Sequence, residues 1–543
     1  MTVADTEERV QRCVLCPAGC SLELVPTGPD AWRVEYPLTA GTGLCPRGSA
    51  LGELLGHHRR IREASVRDGD VRRPAELAAA LRAVLDAAAG KTVTLLVDGN
   101  LPWEQLTAVA DWADAWPDAR LCLVIEPAEH QALLGLEASG ADHLSQAQLA
   151  DRDGFLIIGD VFAANPRCAR AVLDCHKVGP GAAHPIVVID SAAGTASKFA
   201  THRIPVAPGM ELAALAAVAV GAGVQSDLAG SAPAMSVAAA AGAALATAER
   251  PGVLIAAEYG RTDAWRQIGC LAGELATARG GAAAVQTSGA NALAAVRLAG
   301  TVRTVSLAEA LAADNTVRVA VGCDLLGLLG RDDLDILAAA AALPNATTAT
   351  ADVVLPIALP GEYGGTYLFD GTGPVRLAAL TAAPAGVPTP AELVAELARA
   401  AGIAEPAAAA RPLPERLNVE RPAAVGEVPA PAGPVLLFAR EAANAGSGEL
   451  TAHASWQSAR QPLPALRLSP DDAKALGVLN LAAVTVRCGA GSVRARARVA
   501  PELAPGTLVL PEGVAQMRAL VPSRADADQK RMVTDRVSPQ VEG

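Results

Sequence analysis

Three cysteines fall within eight residues near the start of the chain: Cys13, Cys16 and Cys20 in "RCVLCPAGCSLELV". A fourth, Cys45, follows in "GTGLCPRGSA". Four thiolates suit either tetrahedral zinc or a [4Fe–4S] cluster. Zinc ribbons usually offer two C-x2-C knuckles, one on each hairpin. Three thiols crowded on one loop with a single distant partner suit an iron–sulfur cubane better. Tetrahedral zinc and unligated thiols are the alternatives. The other six of the ten cysteines read as structural. Cys122 sits in a strand, Cys175 and Cys270 in helices, and Cys488 in a β-rich region. Cys168 and Cys323 read as packed thiols.

The elements that must position these thiols follow from the apolar pattern. Residues 1–60 carry two short strand-like runs, "CSLELV" and "AWRVEY", and a basic tail. Beyond them, helical stretches such as "PAELAAALRAVLDAAAG" alternate with continuous apolar runs such as "TVTLLVDG", "ARLCLVIEP", "GFLIIGD" and "PIVVID". Fully apolar strands between helices mark a parallel sheet covered on both faces. The pattern resumes after residue 230 with "GVLIAAE", "TVRVAVGCD" and "ADVVLPIA". The expectation is an α/β chain of two doubly wound halves, residues 61–230 and 231–402, behind an N-terminal cluster domain, 1–60. A Pro/Ala-rich linker or wrapping segment follows over 403–434. Residues 435–522 alternate with period two between Gly and Pro turns, which predicts a small β-barrel. A loose polar tail, 523–543, ends the chain.

Composition narrows the partners. Net charge is −12, which argues against nucleic acid or an anionic membrane surface, since both need a basic face. No apolar signal core, twin-arginine motif or bilayer-length apolar run is present. A cytoplasmic location is expected, and in that reducing compartment clustered cysteines bind metal more often than they form disulfides.

C-x2-C-x3-C-x24-C followed by "PRG", with α/β halves behind it, resembles the molybdopterin (bis-guanine-dinucleotide, bis-MGD) oxidoreductases. The stretch "DGFLIIGDVFAANPRCARAV" is similar to that family's strand, G-x-N-P and helix. "VVIDSAAGTASKFATHRIPVAPGMELAAL" resembles its D-P-R-x-T-x-T-A…PGTD stretch, and "TATADVVLPIALPGEYGGTYLFDGTG" its T-A-x-x-ADVVLP…E-x-x-GT. The stretch over 446–478 most resembles the C-terminal part of the large iron–sulfur subunit of NADH-quinone oxidoreductase (complex I). The resemblance implies a [4Fe–4S] cluster on Cys13, Cys16, Cys20 and Cys45. It also implies a cofactor site touched by Arg47, Gly159, Asn165, Asp190, Thr195, Gly209, Asp352, Glu362 and Thr366. Arg47 matches the family's cation between cluster and pterin. The family's cofactor is Mo- or W-bis-MGD. Physical reasoning agrees in part: parallel strands ending in Gly or Asp expose amides and helix N-termini that suit pyrophosphate. Asp190 suits a ribose or guanine edge.

The chain departs from the pattern where catalytic members place a Cys, selenocysteine or Ser on the metal. The matching segment, 124–140, has no Cys, and no Ser before Ser139. Glu126, Glu129 and His130 could touch a metal there, although acids at a helix start are the plainer reading. The family's Glu-Gly-Arg is broken near Phe369 and Asp370. The second half's G-x-N-P has become Gly322-Cys323-Asp324. The ferredoxin-like domain at the N-terminus of the complex I relative has no counterpart in the sequence, so the electron path of complex I is not expected to run through this chain alone.

The expected role is an electron-transfer or scaffold subunit, similar to the large iron–sulfur subunit of complex I. It would carry one [4Fe–4S] cluster and a degenerate pterin site inside a multi-subunit NADH- or quinone-linked redox complex, peripheral to the membrane through its partners. The alternatives are an active Mo/W-bis-MGD enzyme of formate dehydrogenase type and a structural subunit with zinc or no metal.

Overall fold

The computed structural model describes residues 11–37, 45–176, 184–229, 235–369, 373–407, 411–424, 433–440, 450–458, 463–489, 491–512, 515–526, 528–534 and 538–542. The N-terminal strands Gln11–Arg12, Ser21–Gly28 and Ala31–Glu35 form an antiparallel sheet. Helix Pro46–Leu55 lies on that sheet. It lies so close that a Cβ on Gly52 would stand 2.6 Å from the Trp32 carbonyl oxygen. Glycine is needed at that contact to let helix and strand backbones meet.

The main body holds two sheets. The larger has seven strands, in the spatial order Val71–Ala75, Ala64–Asp68, Val353–Pro356, Ala338–Ala341, Thr316–Val321, Thr92–Asp98 and Ala119–Val124. The last five run parallel and the first two form an antiparallel hairpin at the edge. The smaller sheet is wholly parallel, in the order His202–Pro205, Ile186–Asp190, Phe155–Ile158, Gly252–Ile255 and Ala282–Val285. In chain order that is 3-2-1-4-5, the doubly wound arrangement whose strand order reverses between the first and fourth strands. Every residue of its central strands Phe155–Ile158 and Gly252–Ile255 is buried, as continuous apolar runs require when both faces are covered.

The α/β expectation holds, but the halves are not consecutive. Strands Thr92–Asp98 and Ala119–Val124 share a sheet with Thr316–Val321, and the five-stranded sheet is inserted between them. A boundary at residue 230 therefore falls inside the inserted unit. An apolar strand records that it is buried and not which strand it pairs with, so the nesting had no local signal.

Two helices tie the insertion to the larger sheet. Pro127–Ser139 and Trp265–Ala278 cross at glycines: a Cβ on Gly135 would lie 2.0 Å from the Arg266 carbonyl oxygen, and one on Gly269 2.2 Å from that of Ala132. This close crossing fixes the start of the first helix, where Glu126 and Glu129 sit.

The C-terminal region is a mixed six-stranded sheet, in the order Val435–Ala439, Thr507–Pro511, Ala465–Leu468, Gly491–Val499, Ala483–Cys488 and Gln540–Glu542. Its two outer strands do not pair with each other among the described residues, so the expected barrel is an open, half-barrel sheet. The expected loose tail is a hairpin, Ser523–Asp526 with Arg531–Thr534, and Met532 joins an apolar cluster with Cys323 and Leu325. Residues 411–424 form a strap without strands or helices. Arg411 pairs with Asp111 at 2.7 Å and Arg421 with Glu274 at 2.8 Å. Among the described residues no helix is long and apolar enough to cross a membrane.

Candidate functional site

The cysteine loop joins the first two strands. The Cys13 N–H donates to the Cys20 carbonyl at 2.8 Å, and Gly19, at φ +51°, turns the chain back. Cys45 caps helix Pro46–Leu55 and accepts the Ser49 N–H at 2.9 Å. Burial pushes the Cys13 thiol well up, and Cys16, Cys20 and Cys45 add to the rise. Burial and Cys16 push Cys20 up to about 11 against Arg167. None of the four is in a disulfide; Cys13, Cys16 and Cys20 are buried and Cys45 partly so. Among the described residues no three Cys, His, Asp or Glu side chains are preset around one ion. Thiols raised in this way bind a metal only as it displaces their protons.

Beside the loop lies the point where the seven-stranded sheet reverses its order, between Thr92–Asp98 and Thr316–Val321. A cavity of about 150 Å³ opens there, at the carboxyl ends of the strands. Asp98, Asn100, Glu126, Asp324 and Tyr363 line it, with Val14 and Leu15 of the cysteine loop. Burial raises the Asp98 carboxyl to about 6, although Asn100 donates to it. Glu126 caps helix Pro127–Ser139 by accepting the Glu129 N–H through Oε2 at 2.9 Å. Among the described residues its Oε1 accepts no hydrogen bond, and Arg518 stands 3.9 Å from it. Burial lifts this carboxyl to about 7.

The second reversal point, between Phe155–Ile158 and Gly252–Ile255, is filled by charged side chains. Arg261 Nη1 lies 2.8 Å from Asp190 Oδ1, and Nη2 lies 2.6 Å from Glu258 Oε2. Burial pushes the Asp190 carboxyl up, but Arg261 and the N–H groups of Ala192 and Gly194 outweigh it and hold the carboxyl below its usual value. Asp160 accepts the Thr195 N–H at 2.8 Å, and burial raises its carboxyl. Burial also raises Glu258, to about 7. The C-terminal sheet closes this region from above: Arg467 donates to the Ala192 and Ala193 carbonyls at 2.7 and 3.2 Å. Arg440 reaches Glu129 at 2.8 Å, and Arg518 pairs with Glu512 and lies 4.2 Å over the Tyr259 ring.

The residues expected from the sequence are scattered across these places. Gly159, at φ +77°, and Asp190 stand at the second reversal point. The Thr195 backbone faces Asp160 while its side chain is exposed. Asn165 is buried and donates to Gln286 at 2.8 Å and Gln146 at 3.1 Å. The Gly209 N–H is held by Glu211 at 2.8 Å. Arg47 is buried and donates to the Ala163 and Ala164 carbonyls, so it ties helix Pro46–Leu55 to the smaller sheet. Glu362 is locked in a buried pair with Arg60 at 2.6 Å, and Thr366 is held by Glu104. Asp352 does not join any site. It is exposed, precedes strand Val353–Pro356 at the amino edge and pairs with Arg67 at 3.3 Å. The motif that suggested it is a strand sequence whose apolar core, not its leading acid, faces the interior.

Glu126 and Glu129 are buried members of the charged network, not exposed helix-start acids. Burial takes His130 down to about 4, on the far side of that helix start, in a pocket with Met532. Cys168 donates to the Asn165 carbonyl at 2.8 Å and Cys323 contacts the Leu96 carbonyl at 3.5 Å, as packed thiols do. Asp324 caps helix Leu325–Leu329 and holds Thr347. Phe369 packs on Gly19 of the cysteine loop, and Asp370 lies outside the described residues. Sequence reasoning missed Asp98, Glu258, Arg261, Arg440, Glu512 and Arg518. Asp98 ends an apolar strand as Asp190 does and was findable by that rule. Arg261 stands in a loop, Arg440 just past a strand end and Arg518 at the end of a short helix, and nothing in their local sequence names the carboxylates they meet.

A dinucleotide's pyrophosphate needs free amides and cations. At the second reversal point the Gly194 and Thr195 amides are engaged by Asp190 and Asp160, and Arg261 by Asp190 and Glu258. At the first, a cavity of about 150 Å³ walled by three acids, Asp98, Glu126 and Asp324, falls below the roughly 300–1,000 Å³ of cofactor-sized pockets. Among the described residues, the Gly194 and Thr195 amides and the Asp190 and Glu258 carboxylates at the second reversal point are already engaged, while Arg440 Nε and Nη1 are buried without a hydrogen-bond partner.

Residues 435–541 match the family described as "Molydopterin dinucleotide binding domain". The whole chain is similar in structure to acetylene hydratase from Pelobacter acetylenicus, with a TM-score of 0.68 at 12% sequence identity, over 98% of this chain and 100% of that one. At that identity the likeness is one of fold. No curated protein matches the sequence. The family match covers about a fifth of the chain, and the structural likeness is one of fold alone.

Proposed function

We propose that the chain is an electron-transfer or scaffold subunit built on the molybdopterin oxidoreductase fold. It carries one [4Fe–4S] cluster on Cys13, Cys16, Cys20 and Cys45, and its dinucleotide site is closed by its own ion pairs. It works inside a multi-subunit NADH- or quinone-linked complex, in the manner of the large iron–sulfur subunit of complex I. The observation that carries the closed site is Arg261, held between Asp190 and Glu258 at 2.8 and 2.6 Å where the smaller sheet reverses. A nucleotide phosphate entering there would meet buried carboxylates and would have to displace a guanidinium that already satisfies them. The raised, adjoining thiols support the cluster, because a cation that takes them as thiolates relieves the crowding.

One observation favours a second reading, an active Mo/W-bis-MGD enzyme of formate dehydrogenase type. The cavity beside the cysteine loop is lined by Asp98 and Glu126, whose carboxyls sit at about 6 and about 7. Such groups hold or release a proton near neutral pH. Elemental analysis of anaerobically purified protein separates the readings. About four irons per chain without Mo or W supports the closed subunit. Near-stoichiometric Mo or W overturns it, and zinc without iron moves the chain to a structural role.

A further inference from the structure

We propose that the exposed end of the C-terminal sheet, around strand Gly491–Val499, is the docking surface for a partner protein whose matching face is an apolar pocket rimmed by carboxylates. The proposal rests on the reading above only in taking the chain to be one subunit of a complex. Strand Gly491–Val499 turns Arg494, Arg496 and Arg498 out on one side, all three exposed, about 7 Å apart along the strand. None of the three makes an ion pair or side-chain hydrogen bond among the described residues. Arg487, on the neighbouring strand, is already paired with Glu542 at 3.5 Å. An unneutralised basic row is out of keeping with a chain of net charge −12.

At the end of this row stand Leu479 and Leu481, which are 78% and 61% exposed. They are not loose. The Leu481 N–H donates to the Ala497 carbonyl and the Ala497 N–H to the Ala482 carbonyl, both at 2.8 Å. Residues 481 and 482 thus oppose one residue, which is a β-bulge. Asn480 Oδ1 pins the Val499 N–H at 3.0 Å. Leu481 takes φ +68°, the left-handed conformation where such bulges prefer glycine. A large apolar side chain is thus held in solvent on a backbone that disfavours it, and strain of this kind gathers at functional positions. Rigid apolar knobs beside arginines are the composition of an interface centre.

The occupant follows from charge. A second copy meeting face to face would set one arginine row against another. A nucleic acid would need stacking partners, and no aromatic side chain accompanies the row. An acidic protein surface satisfies both the guanidiniums and the leucines.

The test uses the full-length chain, tagged and purified at low salt from its own cells with the subunits that accompany it. Those subunits are released at high salt and rebound to wild-type and variant chains. Leu481→Gly suits the local backbone, so the thermal midpoint and iron content are expected to stay as they are. Rebinding is expected to weaken about tenfold. Arg494→Glu with Arg496→Glu is expected to weaken rebinding at least as much and to flatten its salt dependence. Rebinding untouched by both variants overturns the proposal. So does a chain that purifies alone, or a self-dimer that the variants disrupt. Selective capture on heparin with no rebinding of subunits would point to a polyanion and also overturn it. Loss of rebinding in a chain without iron keeps the docking face and sinks the cluster instead.

Discussion

Arg261 and Asp190 meet at 2.8 Å across the strand reversal of the five-stranded sheet, with both side chains almost wholly buried. The pair stands where the fold ordinarily receives a ligand, and it is completed by Glu258 at 2.6 Å. Arg261→Ala leaves two buried carboxylates without their cation. Loss of one partner of a buried pair costs about 3–5 kcal/mol, and urea unfolding should show that loss at pH 7. Arg261→Ala together with Asp190→Asn and Glu258→Gln should recover part of it. An Arg261→Ala chain as stable as wild type would mean that the pair is solvated and the site open.

Asp98 makes stability depend on pH. Burial raises its folded carboxyl from 3.8 to about 6. Between about pH 4 and 6 the unfolded chain has released this proton and the folded chain still holds it. Stability therefore falls as pH rises through that window, by up to ~3 kcal/mol from this group, and changes little from it above pH 6. Asp98→Asn should flatten that part of a chemical-denaturation series. A wild-type curve that rises steadily from pH 4 to 6, with no difference in the Asn variant, would contradict the raised carboxyl.

The four clustered thiols should act as a set. Serine at Cys13, Cys16, Cys20 or Cys45 is expected to lower bound iron and bleach visible absorption near 400 nm. Serine at Cys168 or Cys323, whose thiols contact backbone carbonyls, should leave both unchanged. Iron content that follows Cys323 and ignores Cys45 would reassign the ligands.

Gly135 sets the position of Glu126 and Glu129 through a helix crossing. A methyl there would meet the Arg266 carbonyl oxygen at 2.0 Å, a contact made of backbone on both sides. Gly135→Ala should cost about 1–3 kcal/mol from overpacking. Ala at Gly373, where no atom lies within 4 Å of the added Cβ, meets only the strain of φ +89°, about 1–2 kcal/mol. Thermal unfolding of the two variants compares the crossing with the turn. The crossing variant should also shift the pH dependence that Glu126 contributes, and the turn variant should not.

Much of this protein was legible along the chain. The continuous apolar runs "GFLIIG" and "PIVVID" announced fully covered parallel strands, because a strand buried on both faces has no polar position to alternate with. The Cys-x2-Cys-x3-Cys spacing announced thiols on one tight loop, whereas helix Pro46–Leu55 was not read from the sequence. These features live within a few residues, where backbone geometry links sequence to structure directly. The nesting of one sheet inside the other did not, because Thr92–Asp98 pairs with Thr316–Val321 across more than two hundred residues and apolar strands carry no address. The same holds for the charged network. Arg261, Arg440 and Arg518 read in sequence as ordinary surface cations. Only the tertiary structure, by folding the C-terminal sheet over the second reversal point, buries them against Glu129, Asp190, Glu258 and Glu512. Burial turns them from solubilising charges into partners of buried carboxylates, since a guanidinium out of water must find carboxylates and then holds them.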